Sequence, residues 1–246
     1  MRLDSIARLV SRPTALLLHA FPLDARMWDR LAALLEEAGY PVVAPDLPGD
    51  EPALGFTDWA TRVLGLVDGP FVPVGCSMGG YLAFELWRQV PERVAGLVLA
   101  DTRATPDSPE QRLARDDSIR VLGEAGREAF WDDLAPKIFS EGADPAVVER
   151  ARDIAFEQPL TGLVAAQETI RDRVDSRPTL PTIDVPVLVM VGEEDRLTPP
   201  ADAEAMVAAL PDARFSRIAG GGHLAPLEQA DAVAVEIRDF LLEVVP

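Results

Sequence analysis

The chain has 246 residues, 48% of them apolar and 26% charged, with 41 acidic against 23 basic side chains and a formal net charge of −18. That balance belongs to a globular chain large enough to bury a core without staples, and its negative field argues against a nucleic-acid partner, whose phosphates would be repelled. The same field disfavours a strongly anionic substrate unless arginines line the pocket.

Short β-type runs alternate with longer amphipathic patterns, the mark of a parallel α/β sheet. Ala15–His19 reads as a buried strand, Trp28–Ala38 as a helix stopped by Gly39, and Pro41–Pro45 as a short strand entering the turn Asp46-Leu47-Pro48-Gly49. Thr57–Val67 reads as a helix with Thr57 as N-cap. Phe71–Gly75 is a strand, Met78–Gln89 a helix and Val94–Ala100 a strand. From Thr102 to Pro181 the patterns are helical only, with candidates at Arg120–Leu134, Pro145–Phe156 and Leu163–Val174. Strand Val185–Val191, helix Ala201–Leu210, strand Arg214–Ile218 and a last helix over Pro226–Val244 complete the chain. A helical excursion of that length between two core strands predicts an inserted cap, since a structureless loop so long is uncommon.

In Gly75-Cys76-Ser77-Met78-Gly79 a strand runs directly into a helix through a Gly-x-Ser-x-Gly turn. Such a turn is sharp and strained, and it lifts the serine hydroxyl above the sheet edge. Serine is a weak nucleophile and needs a base. The chain holds two histidines. His223 lies in the loop Ala219-Gly220-Gly221-Gly222-His223 after the last strand, where this architecture places its base. His19, at the end of the first strand, is read as a brace for the adjoining loop. The acid that orients His223 is assigned to Asp195, in the turn Gly192-Glu193-Glu194-Asp195 after a strand, ahead of Asp101, Glu193 and Glu194. Acyl transfer also needs oxyanion donors, assigned to the backbone N–H groups of Met78 and Phe21.

In order along the chain, His19-Ala20-Phe21-Pro22, Gly75-Cys76-Ser77-Met78-Gly79-Gly80, Gly192-Glu193-Glu194-Asp195 and Gly222-His223 resemble the α/β-hydrolase family over nearly the whole sequence. His223-Leu224-Ala225-Pro226-Leu227-Glu228 is similar to segments of small capped esterases, 3-oxoadipate enol-lactonases and cofactor-free haloperoxidase-like enzymes. Three features depart from that pattern: Ala20 where the family often has glycine, the short acidic stretch Asp50-Glu51-Pro52-Ala53, and a short N-terminal segment that leaves little room for the family's first hairpin.

The expectation is an α/β-hydrolase fold with a mostly parallel sheet, residues 1–101 and 182–246 forming the core and 102–181 a helical cap. It is expected to hydrolyse a small, largely apolar carboxylic ester or lactone, a small-molecule substrate. Ser77, Asp195 and His223 form the catalytic triad, Phe21 and Met78 the oxyanion hole, and Phe130, Trp131 and Phe139 part of the pocket. Enol-lactone, C–C bond and peracid chemistry use the same triad, and a ligand receptor is an alternative of another class. No cofactor, metal or membrane partner is expected. Arg103 and Arg171 are read as solvated, with either able to meet a substrate carboxylate. Cys76 is read as a small buried apolar residue. With one cysteine, no intramolecular disulfide can form, and with no signal-type apolar core near Met1 a cytoplasmic location is expected.

Overall fold

The structure, a computed structural model, describes residues 12–47 and 55–244. The expectations for the N-terminal segment and for Asp50–Ala53, and half of the turn at Asp46–Gly49, lie outside the described residues. Strands β1 (Thr14–Leu18), β2 (Val42–Val43), β3 (Phe71–Cys76), β4 (Leu97–Ala100), β5 (Val187–Gly192) and β6 (Ala213–Ile218) form one sheet in the order β2-β1-β3-β4-β5-β6. Every neighbouring pair is parallel. β3 and β5 are buried at every position, as strands covered by helices on both faces must be.

The period of two along each strand sends alternate side chains to opposite faces. Leu16, Leu18, Leu97, Leu99, Val187 and Val189 face one core, which holds α2 (Phe56–Leu64), α3 (Met78–Gln89) and α8 (Pro200–Ala209). Ala15, Leu17, Val98, Ala100, Leu188 and Met190 face the other. That core holds α1 (Asp29–Glu37), where Leu31 and Leu35 are buried, and α10 (Ala230–Glu243).

Between β4 and β5 the chain forms four α-helices, a short 3₁₀ helix at Arg177–Thr182 and no strand; the α-helices are α4 (Pro109–Glu124), α5 (Gly126–Ile138), α6 (Pro145–Glu157) and α7 (Leu160–Arg171). The single helix expected over Arg120–Leu134 is the end of α4 and most of α5, broken where Gly126 takes φ +87°, a conformation that glycine adopts without penalty. The last helix is likewise two, α9 (Ala225–Glu228) and α10, interrupted at Gln229. Gly55, not Thr57, is the N-cap of α2; the Thr57 hydroxyl instead donates to Glu85 at 3.0 Å. β4 is shorter than expected because Val94 makes only an isolated bridge to Phe71.

The connection from β1 runs to β2 on one side and the connection from β3 runs to β4 on the other, so the winding direction reverses between β1 and β3. In open α/β sheets, a crevice at the carboxyl ends of the strands opens at such a reversal. His19–Phe21 leaves the end of β1 there, and Ser77 leaves the end of β3.

Candidate active site

Ser77 is the single residue between β3 and α3, with φ +51° and ψ −108°. A non-glycine side chain held there costs on the order of 1–3 kcal/mol. The turn closes only because two neighbours lack side chains. A Cβ on Gly75 would lie 2.3 Å from the Gly79 carbonyl oxygen, and one on Gly79 would lie 2.0 Å from that of Leu18. The backbone N–H of Ser77 donates to the Ala100 carbonyl at 2.9 Å, and the Thr102 hydroxyl donates to the Ser77 carbonyl at 2.8 Å. The elbow is thereby tied to the end of β4.

His223 Nε2 lies 2.8 Å from Ser77 Oγ. Its Nδ1 lies 2.9 Å from Asp195 Oδ2 and 3.0 Å from Oδ1. Since a carboxylate only accepts, Nδ1 carries the ring proton and Nε2 is left to accept from Ser77. The Asp195 side chain is fully buried. It accepts from the Leu197 and Thr198 N–H groups at 2.8 and 2.9 Å and from the Thr198 hydroxyl at 2.6 Å. Burial pushes its carboxyl up, but the facing His223 and the Thr198 hydrogen bonds outweigh that and hold it below its ordinary value. Asp195, rather than Asp101 or either neighbouring glutamate, is the carboxylate on His223. Glu194 turns away and accepts from the Glu141 N–H at 2.8 Å.

Asp101 has another place. Fully buried, it accepts from the N–H groups of Gly192 at 2.7 Å and Ala225 at 3.1 Å. It thus fastens the two loops that carry Asp195 and His223 to the end of β4. Burial, then the nearby Asp195, pushes its carboxyl well above the ordinary value. His19 is buried and stands apart from the Ser77–His223 contact: Nδ1 faces the Ala20 carbonyl at 3.1 Å, and Nε2 accepts from the Leu47 N–H at 2.9 Å. Burial lowers its pKa, so the ring is a neutral brace for the loop that carries Phe21. Neither the Phe21 nor the Met78 N–H has a hydrogen-bond partner among the described residues. Cys76 is buried, and burial pushes its thiol well up.

Ser77 and His223 open on a cavity of about 200 Å³. Phe21 lines it and meets Phe130 edge-on, ring centres 5.9 Å apart. Phe130, Asp133, Leu134 and Lys137 line it together, because residues three, four and seven apart share a helix face. For the same reason Trp131, one position on, does not. It turns about 100° around α5 and packs on Phe139 and Phe156 at 6.1 and 6.4 Å between ring centres. Of the three expected pocket aromatics, Phe130 lines the cavity, whereas Trp131 and Phe139 belong to the packing behind it.

Arg103 is not solvated; its side chain is 11% exposed and lines the same cavity. Sequence reading also passed over Thr198, whose signal was present: a threonine three residues after an aspartate can close an Asx-type turn on it. Among the described residues no group of three or more metal-binding side chains is assembled. No helix among them is long and apolar enough to cross a membrane.

Residues 15–236 match the alpha/beta hydrolase family. A pimeloyl-[acyl-carrier protein] methyl ester esterase of Aromatoleum aromaticum is 31% identical, over 94% of this chain and 99% of that protein. Among solved structures, a thermophilic esterase from Thermogutta terrifontis is similar with a TM-score of 0.88 at 34% identity, over 95% of this chain and 91% of that one. The enol-lactonase from Burkholderia xenovorans is similar with a TM-score of 0.82 at 28% identity, over 94% and 91% of the two chains.

Proposed function

The chain belongs to the alpha/beta hydrolase family, and on that premise we propose that it is a serine hydrolase of small carboxylic esters or lactones. The observation that carries the proposal is the unbroken relay from Ser77 Oγ through His223, at 2.8 Å, to Asp195, at 2.9 Å, beside a cavity.

In this reading His223 Nε2 takes the Ser77 proton as Oγ attacks the ester carbonyl, and Asp195 stabilises the imidazolium that forms. The N–H groups of Phe21 and Met78 receive the developing oxyanion, which a helix N-terminus at Met78 also favours. His223 then gives its proton to the leaving alcohol. Water, activated by the same nitrogen, hydrolyses the acyl-enzyme. The scheme needs no cofactor. Residues 102–181 act as a cap on the core of 1–101 and 182–246, and supply Phe130 and Leu134 to the acyl pocket. Relatives named as methyl ester esterases support ester cleavage, and the structural likeness to an enol-lactonase keeps lactones within reach of the same steps. The single cysteine suits a reducing compartment, and we place the enzyme in the cytoplasm.

A fluorophosphonate probe tests this reading. It should label the purified protein stoichiometrically, and peptide mapping should put the adduct on Ser77. An adduct elsewhere, or none, would contradict it.

A further inference from the structure

We propose that Arg103 and Arg115 form a carboxylate subsite inside the catalytic cavity, so that the preferred substrates are half-esters of dicarboxylic acids, or lactones bearing a free carboxylate. This rests on the esterase reading above and specifies its substrate class.

Beside the apolar side chains Phe130, Leu134 and Ile138, the cavity is lined by Arg103, Arg115 and Gln111. In a chain of net charge −18, that concentration of cations is the reverse of the surrounding field. Three guanidiniums share the carboxylate of Asp107, which is fully buried: Arg173 at 2.7 Å, Arg115 at 3.1 Å and Arg103 at 3.2 Å. Burial pushes the Asp107 carboxyl up, but Arg115 and Arg173 outweigh it and hold the group below its ordinary value. Arg173 is held from more sides than the others, although its buried Nε has no partner among the described residues. It also donates to the carbonyls of Ile170 and Thr105 at 2.8 and 2.9 Å and lies 4.2 Å over the Tyr81 ring.

Arg103 is not settled. Among the described residues its one hydrogen bond is the long contact from Nη2 to Asp107, its Nη1 stands 3.8 Å from Asp202, and its buried Nε has no partner. A guanidinium has five donors, and a charge taken this far from water needs them used. Asp202 is a weak counter-ion: burial pushes its carboxyl up, Arg103 opposes that, and Asp195 adds to it. Lys137, also on the cavity wall, is already paired with Asp133 at 2.6 Å.

The three arginines face two carboxylates, Asp107 and Asp202, which leaves one positive charge in excess. That excess matches one carboxylate, which a guanidinium grips with two parallel bonds. The position also fits. Arg103 directly follows Thr102, whose hydroxyl holds the Ser77 carbonyl at 2.8 Å, so the cation stands on the loop beside the nucleophile. A substrate would lay its methylenes on Phe130 and Leu134, with its ester at Ser77 and its free carboxylate at Arg103 and Arg115.

The test compares kcat/KM for monomethyl adipate and dimethyl adipate, which differ by one charge at equal chain length. Wild type should prefer the half-ester by about 10- to 100-fold, the range of a hydrogen-bonded charge pair. Arg103→Gln and Arg115→Gln should each collapse that ratio, and Arg103→Lys should keep part of it. Adipate binding to Ser77→Ala by calorimetry reads the subsite without turnover, and adding Arg103→Gln should weaken it about tenfold. A wild-type enzyme that handles both esters equally, or adipate binding indifferent to Arg103, overturns the subsite and leaves the esterase reading standing. Adipate binding that depends on Arg103 in a protein that cleaves neither ester would overturn the esterase reading instead.

Discussion

The Thr198 hydroxyl donates to Asp195 Oδ2 at 2.6 Å, the same oxygen that His223 Nδ1 reaches at 2.9 Å. Thr198 therefore fixes the carboxylate that fixes the imidazole, and its Oγ1 lies 3.2 Å from Nδ1 as well. Thr198→Val keeps the shape and removes the bond. Hydrogen bonds to charged groups contribute about 1.5–3 kcal/mol. The variant should lose roughly 10- to 100-fold in kcat with little change in KM, measured by steady-state kinetics on a short-chain aryl ester. A rise in KM at constant kcat would show that Thr198 contacts substrate instead of positioning the acid.

The elbow makes a steric prediction. On Gly79 a methyl group would lie 2.0 Å from the Leu18 carbonyl oxygen, and backbone cannot step aside as a side chain can. Gly79→Ala should cost at least about 3 kcal/mol, the upper part of the overpacking range, and should abolish turnover because Ser77 moves with the turn. Gly123, inside α4, has nothing within 4 Å of its would-be Cβ. Gly123→Ala should stabilise by about 0.5–1 kcal/mol. Paired thermal denaturation of the two variants separates close approach from glycine content as such.

Much of this site was legible because its chemistry is tied to backbone signals. Ser77, Asp195 and His223 each follow a strand, and the glycines around Ser77 mark the turn. The sheet was legible for the same reason: buried strands read as unbroken apolar runs. What failed depended on direction within a helix. Phe130 and Trp131 are adjacent in sequence but point about 100° apart around α5, and a helix that is apolar in places on both sides gives no single stripe to read. Arg103 failed for a related reason. An arginine after a strand reads as solvent-facing unless its partners are known, and Asp107 and Asp202 come together only in the fold.

The Asp107 cluster sets an acid limit on stability. Its carboxyl titrates below the ordinary value of 3.8 in the folded chain, so the unfolded chain takes up the proton first. The stability it contributes is complete above that ordinary value and is lost as pH falls through the lower folded one. Asp107→Asn should flatten this part of the acid-unfolding profile. At neutral pH it should destabilise by about 3–5 kcal/mol, the cost of leaving buried cations without their partner. Denaturant unfolding of wild type and variant across the acid range checks both statements. An unchanged profile would show that Arg173 and Arg115 do not depend on Asp107.

The central claim is that Ser77 is the nucleophile of an ester hydrolase. Its most direct test is kcat/KM for Ser77→Ala against wild type on a short-chain aryl ester, with circular dichroism confirming the fold. Ser77 sits 2.8 Å from His223 Nε2, and removal of such a nucleophile costs at least about 10⁴-fold in rate. A loss of that size with the fold intact is the predicted result; a variant that turns over the ester at the wild-type rate would contradict it.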